Sequence, residues 1–88
     1  MRLKEGVIVT QVGDNHIVVA AGQAAEKFTG MLKMNGTAAF ITQQFQTETT
    51  PDAVANVLVE KYDVSLEQAL ESVNSVVKSL LSLGLLEE

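Results

Sequence analysis

The sequence predicts an α+β domain in which an antiparallel, three-stranded β-meander precedes three α-helices. Two observations indicate this order. β-Branched residues are concentrated in the first third of the chain, and apolar residues recur at helical spacing after residue 35. The 88 residues fit one domain, and a hydrophobic content of 47% is sufficient for a folded core. We therefore expect residues 1–88 to form a single domain.

The first two predicted strands form a hairpin. Residues 6–12 and 16–21 are rich in Val and Ile, and residues 13–15 (Gly-Asp-Asn) tolerate the positive φ angles of a tight turn. Residues 22–27 then connect, as a loop or a single helical turn. The third strand covers residues 28–34 and leads directly into a helix.

The third predicted strand alternates between two faces. Its apolar face consists of Phe28, Leu32 and Met34. Its other face consists of Thr29, Met31 and Lys33. Gly30 lies within the strand, where the missing side chain weakens packing and lets another backbone approach closely.

The first two predicted helices have recognisable start signals. Asn35 caps a helix that runs to about residue 45. Thr50 caps the next helix, residues 51–62, in which Pro51 occupies the first position. Both helices therefore begin at residues that can satisfy free backbone N–H groups.

The third predicted helix begins at a capping box, formed by Ser65 and Gln68, and ends near Leu83 before Gly84. Its apolar residues cover an arc of about 160° on a helical wheel. A packed helix needs a stripe of only about 100°. One flank is therefore expected to be apolar without a partner in the same domain; the alternative is a long helix wrapped by its own domain on two sides.

Composition excludes several classes of function. Lys and Arg total 6 and Asp and Glu total 11, which gives a net charge of −5. This sign disfavours phosphate backbones and anionic membranes, so we expect no nucleic-acid and no membrane partner. The chain has no cysteine, and no segment is long and apolar enough to span a bilayer. We therefore expect a cytoplasmic protein.

No constellation of catalytic residues is recognisable, so we expect a non-enzymatic protein without cofactor or metal. His16 is the only histidine and lies beside a predicted turn, where a solvated side chain is the usual outcome. The segment "DVSL" (63–66) is similar to the Asp-Ser-Leu signature of acyl carrier proteins. However, Val64 interrupts that signature, and the capping role already accounts for Ser65.

A winged helix with a DNA-associated regulatory role is the main alternative. The helices 51–62 and 65–83 resemble a helix-turn-helix pair placed after a small sheet. The exposed face of the last helix carries two acidic residues and one basic residue, which is unfavourable for contact with phosphates.

Several ordered motifs are similar to those of the PqqD family. The segment "FTGMLKMNGTAAFI" matches the family pattern at Phe28, Gly30, Met31, Met34, Asn35, Thr37 and Ala39. Later similarities are Thr49–Thr50, "YDV" (62–64) and "GLL" (84–86). The sequence departs from the family at Gly36, at Ala38, and at Thr42, where many members have tryptophan.

The resemblance implies a winged-helix-like peptide chaperone that recognises ribosomally made, post-translationally modified peptides. Such a protein binds the leader segment of a precursor peptide as an added strand and presents it to a modifying enzyme, often a radical S-adenosylmethionine protein. The added strand would lie beside the third strand, in a groove completed by the third helix. An exposed edge also allows homodimers by edge pairing or strand swapping.

We therefore predict a peptide-binding site on strand 28–33 and on one flank of the last helix. The strand residues are Thr29, Gly30, Met31, Leu32 and Lys33. The helix residues are Leu70, Val73, Asn74, Val77, Lys78 and Leu81. The helical wheel leaves open which flank of the helix faces the strand.

Overall fold

A computed structural model describes residues 1–26, 28 and 30–88 and confirms the α+β prediction. The three-stranded sheet consists of β2 (Val7–Val12), β3 (Asn15–Ala20) and β4 (Met31–Met34). The helices are α1 (Gly36–Gln44), α2 (Pro51–Tyr62) and α3 (Leu66–Ser82). Between β3 and β4, the predicted loop or helical turn is a short 3₁₀ helix, Gly22–Glu26.

The sheet is open and antiparallel, with the strand order β2-β3-β4. Val9, Val18 and Leu32 lie side by side across the strands and pack against the helices. In the adjacent row, Ile8 and Met31 flank Val19 and are exposed. The meander therefore has one covered face and one free face.

The predicted third strand is too long. It was expected over residues 28–34, but β4 covers only Met31–Met34. Gly30 has a φ of +105°, a conformation that an extended L-residue does not adopt, so it precedes the strand. Thr29 lies outside the described residues.

Two short strands were not predicted. β1 (Arg2–Leu3) pairs antiparallel with β5 (Leu86–Glu87), and this brings the two ends of the sequence together. The backbone N–H of Leu3 also donates to the Phe45 carbonyl at 2.7 Å. Two-residue strands have no detectable periodicity, and sequence reasoning therefore missed this pair.

The predicted helix caps are all present. Asn35 Oδ1 accepts from the Ala38 N–H at 2.7 Å, and Thr50 Oγ1 accepts from the Ala53 N–H at 3.2 Å. At α3, the Ser65 hydroxyl and the Gln68 side chain each accept from the backbone N–H of the other residue, at 3.1 and 3.4 Å. These caps fix where each helix begins.

The core lies between the covered face of the sheet and the three helices. α3 contributes its central stripe, and the members of that stripe are Ala69, Val73, Val77 and Leu80. Phe45, Ile41 and Leu85 are also fully buried. Each large apolar side chain buried in this way contributes roughly 1.5–3 kcal/mol. None of the helices that the structure describes is long and apolar enough to cross a lipid bilayer.

Candidate functional site

β4 has a free edge. Among the described strands it pairs only with β3, from Val19 opposite Met31 to His16 opposite Met34. In an antiparallel pair, alternate residues direct their backbone N–H and C=O groups towards and away from the neighbour. About half of the backbone N–H and C=O groups of β4 therefore point away from the sheet. At this edge they could form hydrogen bonds with another extended chain.

The side chains of β4 alternate in the way the sequence predicts. Met31 is 69% exposed and Lys33 is also exposed, whereas Leu32 and Met34 are half-buried against the core. A strand added at this edge would have one face over the helices and the other in line with Met31 and Lys33.

A groove of about 870 Å³ begins where β4 ends. It lies between the first turns of α1, the end of α2 and one flank of α3, and we call it the α1–α3 groove. It is lined by Asn35, Thr37, Ala38, Ile41, Leu58, Tyr62, Val64, Gln68, Glu71, Ser72, Ser75 and Val76. Asn35 directly follows Met34, so the groove continues from the end of the free edge.

The α1–α3 groove has an apolar floor and a polar rim. Ile41 and Leu58 are buried beneath it, while Gln68, Ser72 and Ser75 are exposed along its α3 wall. Such a combination suits an extended ligand that buries some side chains and forms hydrogen bonds with others.

Thr42 fixes the position of β4 relative to α1. Its side chain is fully buried, and its hydroxyl donates to the Ala38 carbonyl at 2.8 Å. The same oxygen lies 3.3 Å from the sulfur of Met34. This residue, which departs from the family pattern, is therefore a packing residue behind the edge strand.

An aromatic pair with a lysine stands at the α2 end of the groove. The rings of Phe40 and Tyr62 meet edge to face, with centroids 5.9 Å apart. Lys61 Nζ lies 4.9 Å from the Phe40 centroid and 5.7 Å from that of Tyr62. The cation–π contact holds this ammonium group on the aromatic pair.

The strand residues of the predicted site lie at the free edge. Met31, Leu32 and Lys33 belong to β4, and Gly30 immediately precedes it. Thr29 is a further predicted residue, outside the described part of the chain.

The predicted residues of α3 are divided between the core and a different flank. Val73 and Val77 are 0% and 7% exposed and belong to the core. Leu70 is half-buried, and the exposed members of this flank are Asn74, Lys78 and Leu81. None of these six lines the α1–α3 groove.

The wall that α3 contributes to the groove is polar, and sequence reasoning missed it. Ser72, Ser75 and Val76 lie on the other side of the buried stripe from Asn74 and Lys78. The sequence pattern pointed instead to an uncovered apolar flank. The exposed large apolar side chains of α3 are Leu66 and Leu81, at 49% and 38%, and neither of them lines this groove. In the sequence, Ser72 and Ser75 are small polar residues in the middle of the predicted third helix, a pattern that is equally typical of a solvated helix face.

No metal site was predicted, and the described residues bring together no group of three or more His, Asp or Glu side chains suited to a metal ion.

An open three-stranded sheet, three helices behind it and a groove at its free edge define a winged-helix-like α+β domain. The chain belongs to the PqqD family, because the family model described as "Coenzyme PQQ synthesis protein D (PqqD)" matches residues 15–86. This match confirms the resemblance seen in the sequence motifs.

Two solved structures are similar over nearly the whole chain. "Lasso peptide synthetase B1 complexed with the leader peptide" has a TM-score of 0.72 and 26% identity, and covers 96% of this chain and 93% of that chain. "TbiB1 in Complex with the TbiA(beta) Leader Peptide" has a TM-score of 0.77 and 13% identity, with coverages of 99% and 95%. The second similarity is one of fold alone. A search of curated protein sequences found no match.

Proposed function

We propose that this protein binds the leader segment of a ribosomally synthesised precursor peptide and presents it to a modifying enzyme. The observation that carries the proposal is the free edge of β4, which leads into the α1–α3 groove. Membership of the PqqD family supports it, as does the similarity to two proteins whose structures are described as leader-peptide complexes.

The binding mode is addition of a β-strand beside β4. A strand of four residues offers on the order of four outward hydrogen bonds, which contribute roughly 2–6 kcal/mol together. Association itself costs at least about 4 kcal/mol, and micromolar affinity requires a net of about 8 kcal/mol. The backbone bonds alone are therefore insufficient. Side chains of the leader have to bury apolar surface in the adjoining groove.

The proposed contact residues on the strand side are Gly30, Met31, Leu32 and Lys33, together with Thr29. Lys33 and the flexible, exposed Met31 would meet outward side chains of the leader. On the helix side, the groove favours a path along Ser72 and Ser75. The competing path, expected from the sequence, follows Leu70, Asn74, Lys78 and Leu81 beside the buried Val73 and Val77.

Two bulky substitutions distinguish these paths. Ser75→Trp fills the α1–α3 groove, whereas Lys78→Trp places the same side chain on the other flank of α3. We expect Ser75→Trp to weaken leader binding at least about tenfold, since the guest side chains lose their space, and Lys78→Trp to leave it unchanged. The opposite result would favour the path along Leu81.

Proline substitutions test the strand addition itself. Of the neighbouring residues Met31 and Leu32, one directs its N–H towards β3 and the other towards the free edge. We expect the edge-directed proline variant to retain its circular dichroism spectrum and to lose binding of a leader peptide that the wild-type protein binds. The measurement is fluorescence anisotropy of the labelled leader. If the Met31→Pro and Leu32→Pro variants both fold and both bind the leader with undiminished affinity, strand addition is refuted.

Salt dependence separates this function from nucleic-acid binding. The affinity for the leader should change less than about threefold between about 50 and 500 mM salt, whereas an affinity that depends on several phosphate contacts would weaken more than about 100-fold.

The modifying enzyme is the second proposed partner, and a radical S-adenosylmethionine protein is the type expected from the family resemblance. Without leader, the same free edge would support homodimers by edge pairing or strand swapping at high concentration.

A further inference from the structure

We infer that the α1–α3 groove selects leaders that carry a lysine or arginine side chain, and that Glu71 is the specificity-determining residue. This inference rests on the proposed function, because it concerns which leaders the same groove accepts. It assigns a charge requirement to a wall of the groove that is otherwise uncharged.

Glu71 is the sole formally charged side chain among the described residues that line the groove. It stands on α3 beside the uncharged Ser72, one turn after Gln68. The floor beneath, Ile41 and Leu58, is at most 2% exposed. Glu71 itself is exposed, so a lysine or arginine side chain brought against this wall would gain the modest attraction of a solvent-exposed ion pair.

No cation of the described chain neutralises Glu71. Among the described residues, the ion pair formed is that of the Met1 amino group with Glu48, at a distant part of the chain. The nearby Lys61 instead lies 4.9 Å from the centre of the Phe40 ring. The carboxylate of Asp63, at the end of α2 between the groove residues Tyr62 and Val64, adds to the negative potential on this side.

The opposite wall carries a weaker charge of the other sign. The N-terminus of α1 contributes Thr37 and Ala38 to the groove, and a helix N-terminus carries about half a positive elementary charge. One of its N–H groups, that of Ala38, is already satisfied by Asn35 Oδ1. The groove is therefore polarised, and a complementary leader directs its basic side chain towards α3 and an acceptor towards α1.

Selection from a peptide library tests the inference whatever the sequence of the natural leader. A phage-displayed library of random 12-residue peptides is selected on the wild-type protein, on Glu71→Lys and on Glu67→Lys. Glu67→Lys is the matched control, since it makes the same charge change on the same helix outside the groove. We expect wild type and Glu67→Lys to enrich Lys or Arg at one position, and Glu71→Lys to enrich Asp or Glu there.

Synthetic peptides then give the magnitude. Replacing the enriched basic residue with alanine should weaken binding to the wild type about two- to fivefold and leave binding to Glu71→Gln unchanged, as for a solvent-exposed ion pair. Enriched peptides with no charge preference, or with the same preference on wild type and Glu71→Lys, would overturn the role of Glu71 and leave the proposed function standing. Failure to enrich any peptide on the wild type would overturn both.

Discussion

Gly30 is the residue on which the entry into the edge strand depends. Its φ of +105° lies in a region that residues with a side chain rarely adopt, and an added Cβ would meet no atom within 4 Å. The requirement for glycine is therefore conformational and not one of space. The conformation of Gly30 directs the backbone into β4, which begins at the next residue, Met31.

Gly30→Ala should accordingly destabilise the fold by about 1–3 kcal/mol, the cost of a strained backbone. Gly36→Ala is the matched control. Gly36 has an ordinary φ at the start of α1, and its added Cβ would come no closer than 3.5 Å to His16. We expect it to stabilise by about 0.4–1 kcal/mol. Urea denaturation measures both, and a Gly30→Ala variant as stable as Gly36→Ala would contradict the assignment.

Glu48 makes the stability of the folded protein depend on pH. Its carboxylate accepts a hydrogen bond from the Met1 amino group, which, as the main cause, lowers the pKa of Glu48 below its usual value. Since the pKa is lower in the folded state, the pair stabilises the protein above the ordinary carboxyl pKa. That contribution is lost as the pH falls through the folded pKa of Glu48.

Glu48→Gln should therefore lower the urea midpoint at neutral pH and have no effect once the pH lies below the folded pKa. Acetylation of the Met1 amino group should reproduce this loss. Glu60→Gln, on the surface of α2, serves as a charge-matched control. A difference between wild type and Glu48→Gln that persists unchanged into acid would show that the ion pair is not its cause.

The elements differ in how far their own residues specify them. Asn35, Thr50 and Ser65 lie next to the N–H groups that they satisfy, so the helix starts were predictable from local sequence. The predicted third strand wrongly included Phe28 and Gly30, because alternation of side chains does not reveal the positive φ at Gly30, after which β4 begins. The groove wall was missed because which polar flank of α3 meets α1 depends on packing against the rest of the fold.

Ser65→Ala tests the contribution of a cap to α3. The variant removes one half of a reciprocal pair and should cost about 1 kcal/mol. Ser75→Ala, in the exposed helix interior, should be neutral or slightly stabilising, since alanine has the higher helix propensity. Thermal unfolding of the two variants measures the difference, and equal midpoints would mean that the capping box contributes nothing.

At the scale of the whole molecule, the two ends of the sequence close the core. β1 and β5 place Leu3 opposite Leu86, and the N–H of Lys4 donates to the Leu85 carbonyl at 2.9 Å. Residues far apart in sequence have to meet before either is stabilised, so neither strand could be inferred from its own pattern. The motif "GLL" showed that this segment is similar to the PqqD family, but it did not indicate that β1 is the strand with which it pairs.

Leu86→Ala should therefore be among the more costly single changes in this protein. The side chain is 4% exposed within the core, and its truncation should destabilise by about 2–5 kcal/mol. Ile8→Ala, at 48% exposure on the free face of the sheet, should cost less than about 1 kcal/mol. Because β5 directly follows the turn that ends α3, loss of Leu86 should also loosen the last turn of that helix before the sheet opens. Hydrogen exchange measures this order: faster exchange at Leu83 and Leu85 than in β3 would support the closing role, and uniform acceleration throughout the chain would contradict it.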